Sequence, residues 1–271
     1  MQSIYRNNST NLFEKLARDT WERIRLGESY NCSQGEETLT DINLLDILLL
    51  SSPRDIRVKK ATKALEARCG IDWEWWIGSN RQPGFRGWWR YAVQAKKINK
   101  SRSYSKLRHK VGNQDQFELL EAYAEANHCI PLYCFYNFTE KDTQRYWHCC
   151  QTYNQTQMGC TIAPLDAVRP LFKKYASKKF SKLHRDERVL PWRCLTCCPK
   201  LLPQGGSHPL FNPDFFNYDI EPNDLPDFLL NDDPDNNEIL EFPINFYNRD
   251  IVEVYPKRIV IIEVPDVGIR G

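Results

Sequence analysis

The sequence contains no run of about 18 apolar residues, the length a membrane-spanning helix requires. Its first ten residues are polar and lack the apolar stretch of a secretory signal. Together these absences imply a cytoplasmic protein with no membrane partner. Lysine and arginine are missing from Leu201 to Asn248, where acids accumulate from Asp214 to Glu241. A second Cys-x-x-Cys is also missing. Cys194 and Cys197 form the only one, and His148, Cys149 and Cys150 are the candidates to complete a zinc site. Cys69, Cys129, Cys134 and Cys160 lie inside apolar stretches, which favours buried free thiols over zinc or disulfides. No recognition-helix motif is visible, so little base readout is expected of any nucleic-acid contact.

Positive charge is concentrated where acids are scarce. Lys96, Lys97, Lys100, Arg102, Lys106, Arg108 and Lys110 follow one another without an intervening acid, and a second basic run extends from Arg169 to Lys182. The net charge is only +2, so segregation carries the information: a basic face suits a polyanion, and the acidic segment is its counterpart. With 271 residues the chain can bury a sizeable core and fits one α/β domain with an appendage.

Apolar spacing at Leu12, Phe13, Leu16, Ala17, Trp21 and Ile24 predicts an amphipathic helix. A second helix opens at Gly35-Glu36-Glu37 and stops near Pro53. Ile56 to Thr62 reads as a strand, although Lys59 to Ala67 equally suits a short helix. Gln114 to Asn127 has helical spacing, Ile130 to Tyr136 is a buried strand, Gly159 to Ile162 another, and Pro164 to Tyr175 a further helix. From Pro203 to Asn248 prolines, asparagines, acids and aromatics suggest a segment that wraps along the domain surface. Ile251 to Val264 reads as a strand pair that ties down the C-terminus.

The stretch Gly70 to Lys96 organises the remainder. Ile71 to Ile77 and Trp88 to Ile98 are rich in aromatic and β-branched residues and are separated by turn formers, which predicts a hairpin. Side chains alternate along a strand, so Asp72 and Glu74 share one face of the first strand, and Gln94 and Lys96 share one face of the second. A solvent-facing hairpin with ordinary cross-strand pairs is the plainer reading. The tryptophans of both strands oppose it, because they leave little of the hairpin facing water. Partly buried carboxylates beside an ammonium cost several kcal/mol unless they pair or bind a metal. Such a set suits phosphodiester hydrolysis: carboxylates hold a hard cation, and a lysine orients or deprotonates the attacking water.

Asp72 followed on the next strand by Gln94-Ala95-Lys96 resembles the core of the PD-(D/E)xK nuclease superfamily in its (E/Q)xK variant, here in what looks like a bacterial branch. The resemblance covers Leu12 to Asn137, about half of the chain. It implies a restriction-endonuclease-like α-β-β-β-α-β core with a mixed central sheet, extended to residue 200, followed by the irregular acidic segment 201–250 and the strand pair of 251–271. It implies a metal-dependent nuclease, with Mg²⁺ or Mn²⁺ as cofactor, acting on DNA rather than RNA in bacterial defence or DNA processing. Asp72, Glu74, Gln94 and Glu37 are the implied metal ligands and Lys96 the group that handles the water. Lys97, Lys100, Arg102 and Gln116 are the implied nucleic-acid contacts. Gln94 stands where the family usually has a carboxylate, so a catalytically inactive module that binds nucleic acid or protein is the alternative. A homodimer or a regulatory protein partner is compatible with either.

Overall fold

The computed structural model describes residues 8–50, 56–60, 71–78, 88–108, 110–111, 114–197 and 258–263. The acidic segment 201–250 and the remainder of 251–271 lie outside the described residues. Two helices lead: α1 (Asn8–Ser29) and α2 (Glu36–Leu50). They precede strands β1 (Ile56–Lys60), β2 (Trp73–Gly78) and β3 (Trp88–Lys97). A small ladder, β4 (Lys110–Val111) and β5 (Gln114–Asp115), leads into α3 (Gln116–Ala126). Then come β6 (Ile130–Tyr136), β7 (Cys160–Pro164), β8 (Leu190–Pro191) and β9 (Arg258–Glu263).

The described strands make a mixed α/β architecture around a seven-stranded sheet, in the order β1-β9-β2-β3-β6-β7-β8. β2 and β3 are antiparallel, β3 and β6 parallel, and β9 runs parallel to β2 and antiparallel to β1. The region between Ile56 and Lys60, readable as strand or helix from sequence, is strand. Arg258–Glu263 is a member of the main sheet and separates β1 from β2. All seven residues of β6 are buried, as expected for a strand with covered faces on both sides.

Alternation sorts the hairpin into two faces. Trp73 and Trp75 point to one of them and meet Trp192 at 6.5 and 5.4 Å between ring centroids. Phe13 of α1 packs on Trp192 at 6.0 Å, so the helix that the apolar spacing predicts covers this side. Thr20 donates to Asn43 at 3.1 Å and Thr40 meets the Tyr136 hydroxyl at 2.9 Å, which ties α2 to α1 and to the sheet. Gly159, just before β7, lies so close to α1 that a Cβ there would stand 2.0 Å from the Ala17 carbonyl oxygen. Only glycine permits that approach.

α3 belongs to the opposite side, reaching the Glu74 carboxylate through Tyr123 and burying Leu120, Tyr123 and Ala124. Asp115 caps it, with Glu118 accepting from the Asp115 N–H at 3.3 Å, and this fixes Gln116 in the first turn. The helix expected over Pro164 to Tyr175 is instead one α-turn, Leu165–Val168, followed by a 3₁₀ turn, Arg169–Phe172. Pro170 accounts for the break, since it has no N–H to continue the α-helical ladder.

Candidate functional site

Register brings the polar residues of the hairpin onto one face, where they divide into two clusters. Glu74 is fully buried. It accepts from Arg90 Nε at 2.8 Å, Tyr123 Oη at 2.6 Å and Trp76 Nε1 at 3.0 Å. Arg90 also pairs with it through Nη2 at 2.7 Å and lies over the Trp76 ring. Burial opposes the charge of Arg90, but the Glu74 carboxylate outweighs it and raises the guanidinium pKa. Burial, reinforced by Glu74, likewise drives the Tyr123 phenol well up. Glu74 is therefore half of a buried ion pair. Glu74, expected to assist a metal, is here sealed from solvent and paired with Arg90.

The second cluster lies around the start of β2 and the end of β3. The Asp72 N–H donates to the Val93 carbonyl at 2.9 Å, and Asp72 Oδ2 accepts from the Ala95 N–H at 2.6 Å. This seats the carboxylate against the peptide that joins Gln94 to Ala95. Lys96 is only 3% exposed. Its Nζ donates to Gln116 Oε1 at 3.1 Å and to Glu36 Oε1 at 3.4 Å. Glu36 Oε2 accepts from the Lys97 N–H at 2.9 Å. Of the two acids at the start of α2, Glu36 thus reaches the strand end, whereas Glu37 is exposed. The difference is set by the phase in which the helix begins.

Gln94 is fully buried and shares the Lys96 face, opposite Tyr133 in the pairing with β6. Burial raises the Tyr133 phenol well above its ordinary value, and Asp72 and Glu36 push it the same way, so both carboxylates are within electrostatic reach of that ring. The Tyr133 hydroxyl is buried and finds no hydrogen-bond partner among the described residues. Buried hydroxyls are seldom left unsatisfied in proteins, which marks this point as one where a water or a ligand oxygen belongs. Composition carried no signal for Tyr133; it emerges only from the β3–β6 register.

The proposed nucleic-acid contacts are used within the chain. Lys97 Nζ donates to Ser33 Oγ at 2.5 Å and the Gln34 carbonyl at 2.7 Å, Lys100 Nζ to Asn31 Oδ1 at 3.1 Å, and Arg102 pairs with Glu28 at 2.7 Å. These three fasten the loop after β3 to the α1–α2 connection. Burial lowers the Lys97 ammonium pKa, opposed by Glu28 and Glu36. Gln116 is the member of the set that joins Lys96.

Of the zinc candidates, Cys149 and Cys194 are buried, Cys150 is exposed, and His148 Nε2 lies 3.1 Å from the His184 carbonyl oxygen. Among the described residues no three histidine, cysteine, aspartate or glutamate side chains cluster as a metal site. No described helix is long and apolar enough to cross a membrane.

Fold and site together define a mixed α/β protein with a polar cluster of two carboxylates, a lysine and amides at the end of a central strand. The chain belongs to the family of unknown function DUF6615, whose model matches residues 9–263. No curated protein matches it.

Proposed function

We propose that the protein is a metal-dependent nuclease that hydrolyses phosphodiester bonds at the Asp72–Gln94–Lys96 cluster. The observation that carries this reading is Lys96, an almost fully buried ammonium held by Gln116 and Glu36, one residue on from the Ala95 N–H that bonds the Asp72 carboxylate. A lysine has three N–H donors, and two are committed among the described residues, so a third can hold a phosphate oxygen or a water. The described elements run α2, β1, β2, β3, β4, β5, α3, β6, an order that supports a restriction-endonuclease-like reading, and the β4–β5 ladder and β9 between β1 and β2 are departures from its plain form.

The donor set fits a hard cation. Asp72 and Glu36 supply carboxylates, Gln94 an amide oxygen, and the unsatisfied Tyr133 hydroxyl can donate to a water that such an ion retains. A Mg²⁺ or Mn²⁺ ion held by these groups would supply positive charge against the phosphoryl oxygens and ease attack by water. Lys96 orients that water, and Gln116 and Glu36 hold the ammonium in place. DNA is the favoured substrate, in a setting of bacterial defence or DNA processing.

One observation favours a second reading. With Glu74 engaged by Arg90, only two carboxylates serve the cluster, which suits an inactive module that keeps the nuclease fold and binds nucleic acid or protein. The deciding experiment is cleavage of plasmid, linear DNA, single-stranded DNA and RNA with Mg²⁺, Mn²⁺ or chelator, for the native chain, Asp72→Ala and Lys96→Ala. Metal-dependent cleavage absent from both variants is expected. No cleavage of any substrate sinks the nuclease reading in favour of the binding module.

A further inference from the structure

The basic stretches that follow β3 and β7 are distant in sequence, yet the fold lays them side by side. The Phe180 N–H donates to the Arg102 carbonyl at 3.0 Å, the Tyr104 N–H to the Lys178 carbonyl at 2.9 Å, and Ser103 forms a β-bridge with Lys179. At the other end Phe172 is buried and stacks on Phe117 at 4.4 Å. Phe117 is the neighbour of Gln116, which accepts the Lys96 hydrogen bond. Between these anchors residues 173–179 form a strap, folded by a bond from the Ala176 N–H to the Lys173 carbonyl at 3.0 Å.

Lys173, Lys174 and Lys179 are exposed, as is Lys182 just beyond, and none forms an ion pair among the described residues. Tyr175 is 90% exposed, with the Lys174 ammonium 5.4 Å from its ring centroid. Lysines of one sign crowded together repel each other and attract a polyanion. An open aromatic ring among them offers a stacking face, which unstacked bases of a single strand can use and the stacked bases of a duplex cannot. A lipid surface would need apolar neighbours to insert, and Tyr175 is flanked by Lys174 and Ala176, with Ser177 beyond.

We propose that this strap is a docking track for single-stranded nucleic acid, in which Tyr175 stacks a base and the lysines hold the flanking phosphates. The inference rests on the nuclease reading for the destination of the strand. Tyr175 lies three positions beyond the Phe172 anchor, a reach of at most about 10 Å, so a strand on the ring approaches the Lys96 side of the molecule.

The test is fluorescence anisotropy of labelled single-stranded DNA, single-stranded RNA and duplex DNA in chelator, where cleavage cannot interfere. It uses the full chain, Tyr175→Ala, Tyr175→Trp and a Lys173→Gln/Lys174→Gln double variant, with thermal melts to check folding. Single strands should bind more tightly than duplex. Tyr175→Ala should weaken single-strand binding about tenfold or more, and Tyr175→Trp should retain it. The lysine variant should flatten the log–log salt dependence by about 0.7 per lysine. Unchanged binding by Tyr175→Ala, or a preference for duplex, overturns the track. So does binding to phosphatidylserine vesicles that Tyr175→Ala abolishes while oligonucleotides do not bind. Metal-dependent cleavage with unchanged binding by Tyr175→Ala removes the track and keeps the nuclease. Single-strand binding lost in Tyr175→Ala, with no cleavage under any metal, keeps the track and removes the nuclease.

Discussion

Glu74 and Asp72 stand two residues apart on the same face of β2, yet their surroundings differ in kind. Glu74 meets a full set of donors from Arg90, Tyr123 and Trp76 and is sealed by α3. Asp72 is half-buried, accepts from a backbone N–H of β3 and, like Glu36, acts electrostatically on Tyr133. Glu74 is half of a sealed ion pair, whereas Asp72 is the carboxylate on which the nuclease reading rests. The difference comes from what the register and the covering helix bring up, since both acids sit on the same strand face.

The sharpest way to break this comparison is to exchange the two roles. Asp72→Asn and Lys96→Met are expected to lower cleavage at least about a hundredfold, the scale of a lost acid–base or water-orienting group, with melting temperatures close to the native one. Glu74→Gln is expected to do the reverse. It leaves Arg90 buried without its counter-charge, which costs about 3–5 kcal/mol and shows as a large drop in melting temperature or denaturant midpoint. If Glu74→Gln proved stable and inactive while Asp72→Asn proved unstable and active, the two assignments would have to be interchanged.

A pH series separates stability from the cluster. His184 is fully buried, stacked on Phe180, and sits between Thr161 Oγ1 and the Phe180 carbonyl, each at 3.0 Å. Burial lowers its pKa from 6.5 to about 3, opposed in part by the bond to the Phe180 carbonyl. Below pH 6.5 the unfolded chain therefore binds a proton that the folded chain refuses. Its contribution to stability is complete above that pH and is lost as pH falls toward about 3, at roughly 1.4 kcal/mol per unit. Denaturant midpoints measured between pH 7 and pH 4 should show this slope, and His184→Gln should flatten it. The smallest contrast concerns the start of α2. Glu36→Gln should reduce cleavage, whereas Glu37→Gln, an exposed change, should alter stability by no more than about 0.5 kcal/mol and leave cleavage as it was.

Much of this was readable before any coordinates. Spacing located α1, α2, α3 and β6, because each element hides one face, or both, in a way that apolar periodicity records. The alternation of Asp72 with Gln94 and Lys96 across a tryptophan-rich hairpin pointed to the cluster for the same reason. The resemblance named Gln116, and the fold puts it on Lys96 because Asp115 and Glu118 fix the helix start there. Glu36 was passed over for Glu37, since adjacent residues at a helix N-terminus differ by about 100° in direction and local sequence does not fix that phase. Arg90 went unremarked because its meaning depends on a diagonal contact across the β2–β3 ladder.

The sequence by itself determined the alternation of faces, the helical stripes and the segregation of charge, all of which follow from local geometry and side-chain chemistry. Only the tertiary structure decided that β9 separates β1 from β2, that Glu74 belongs to Arg90 and Asp72 to the Lys96 cluster, and that the loop after β3 lies along the lysine strap. Each of those depends on contacts between residues remote in the chain. Such contacts are selected by the joint burial of many side chains, and no short stretch encodes that choice.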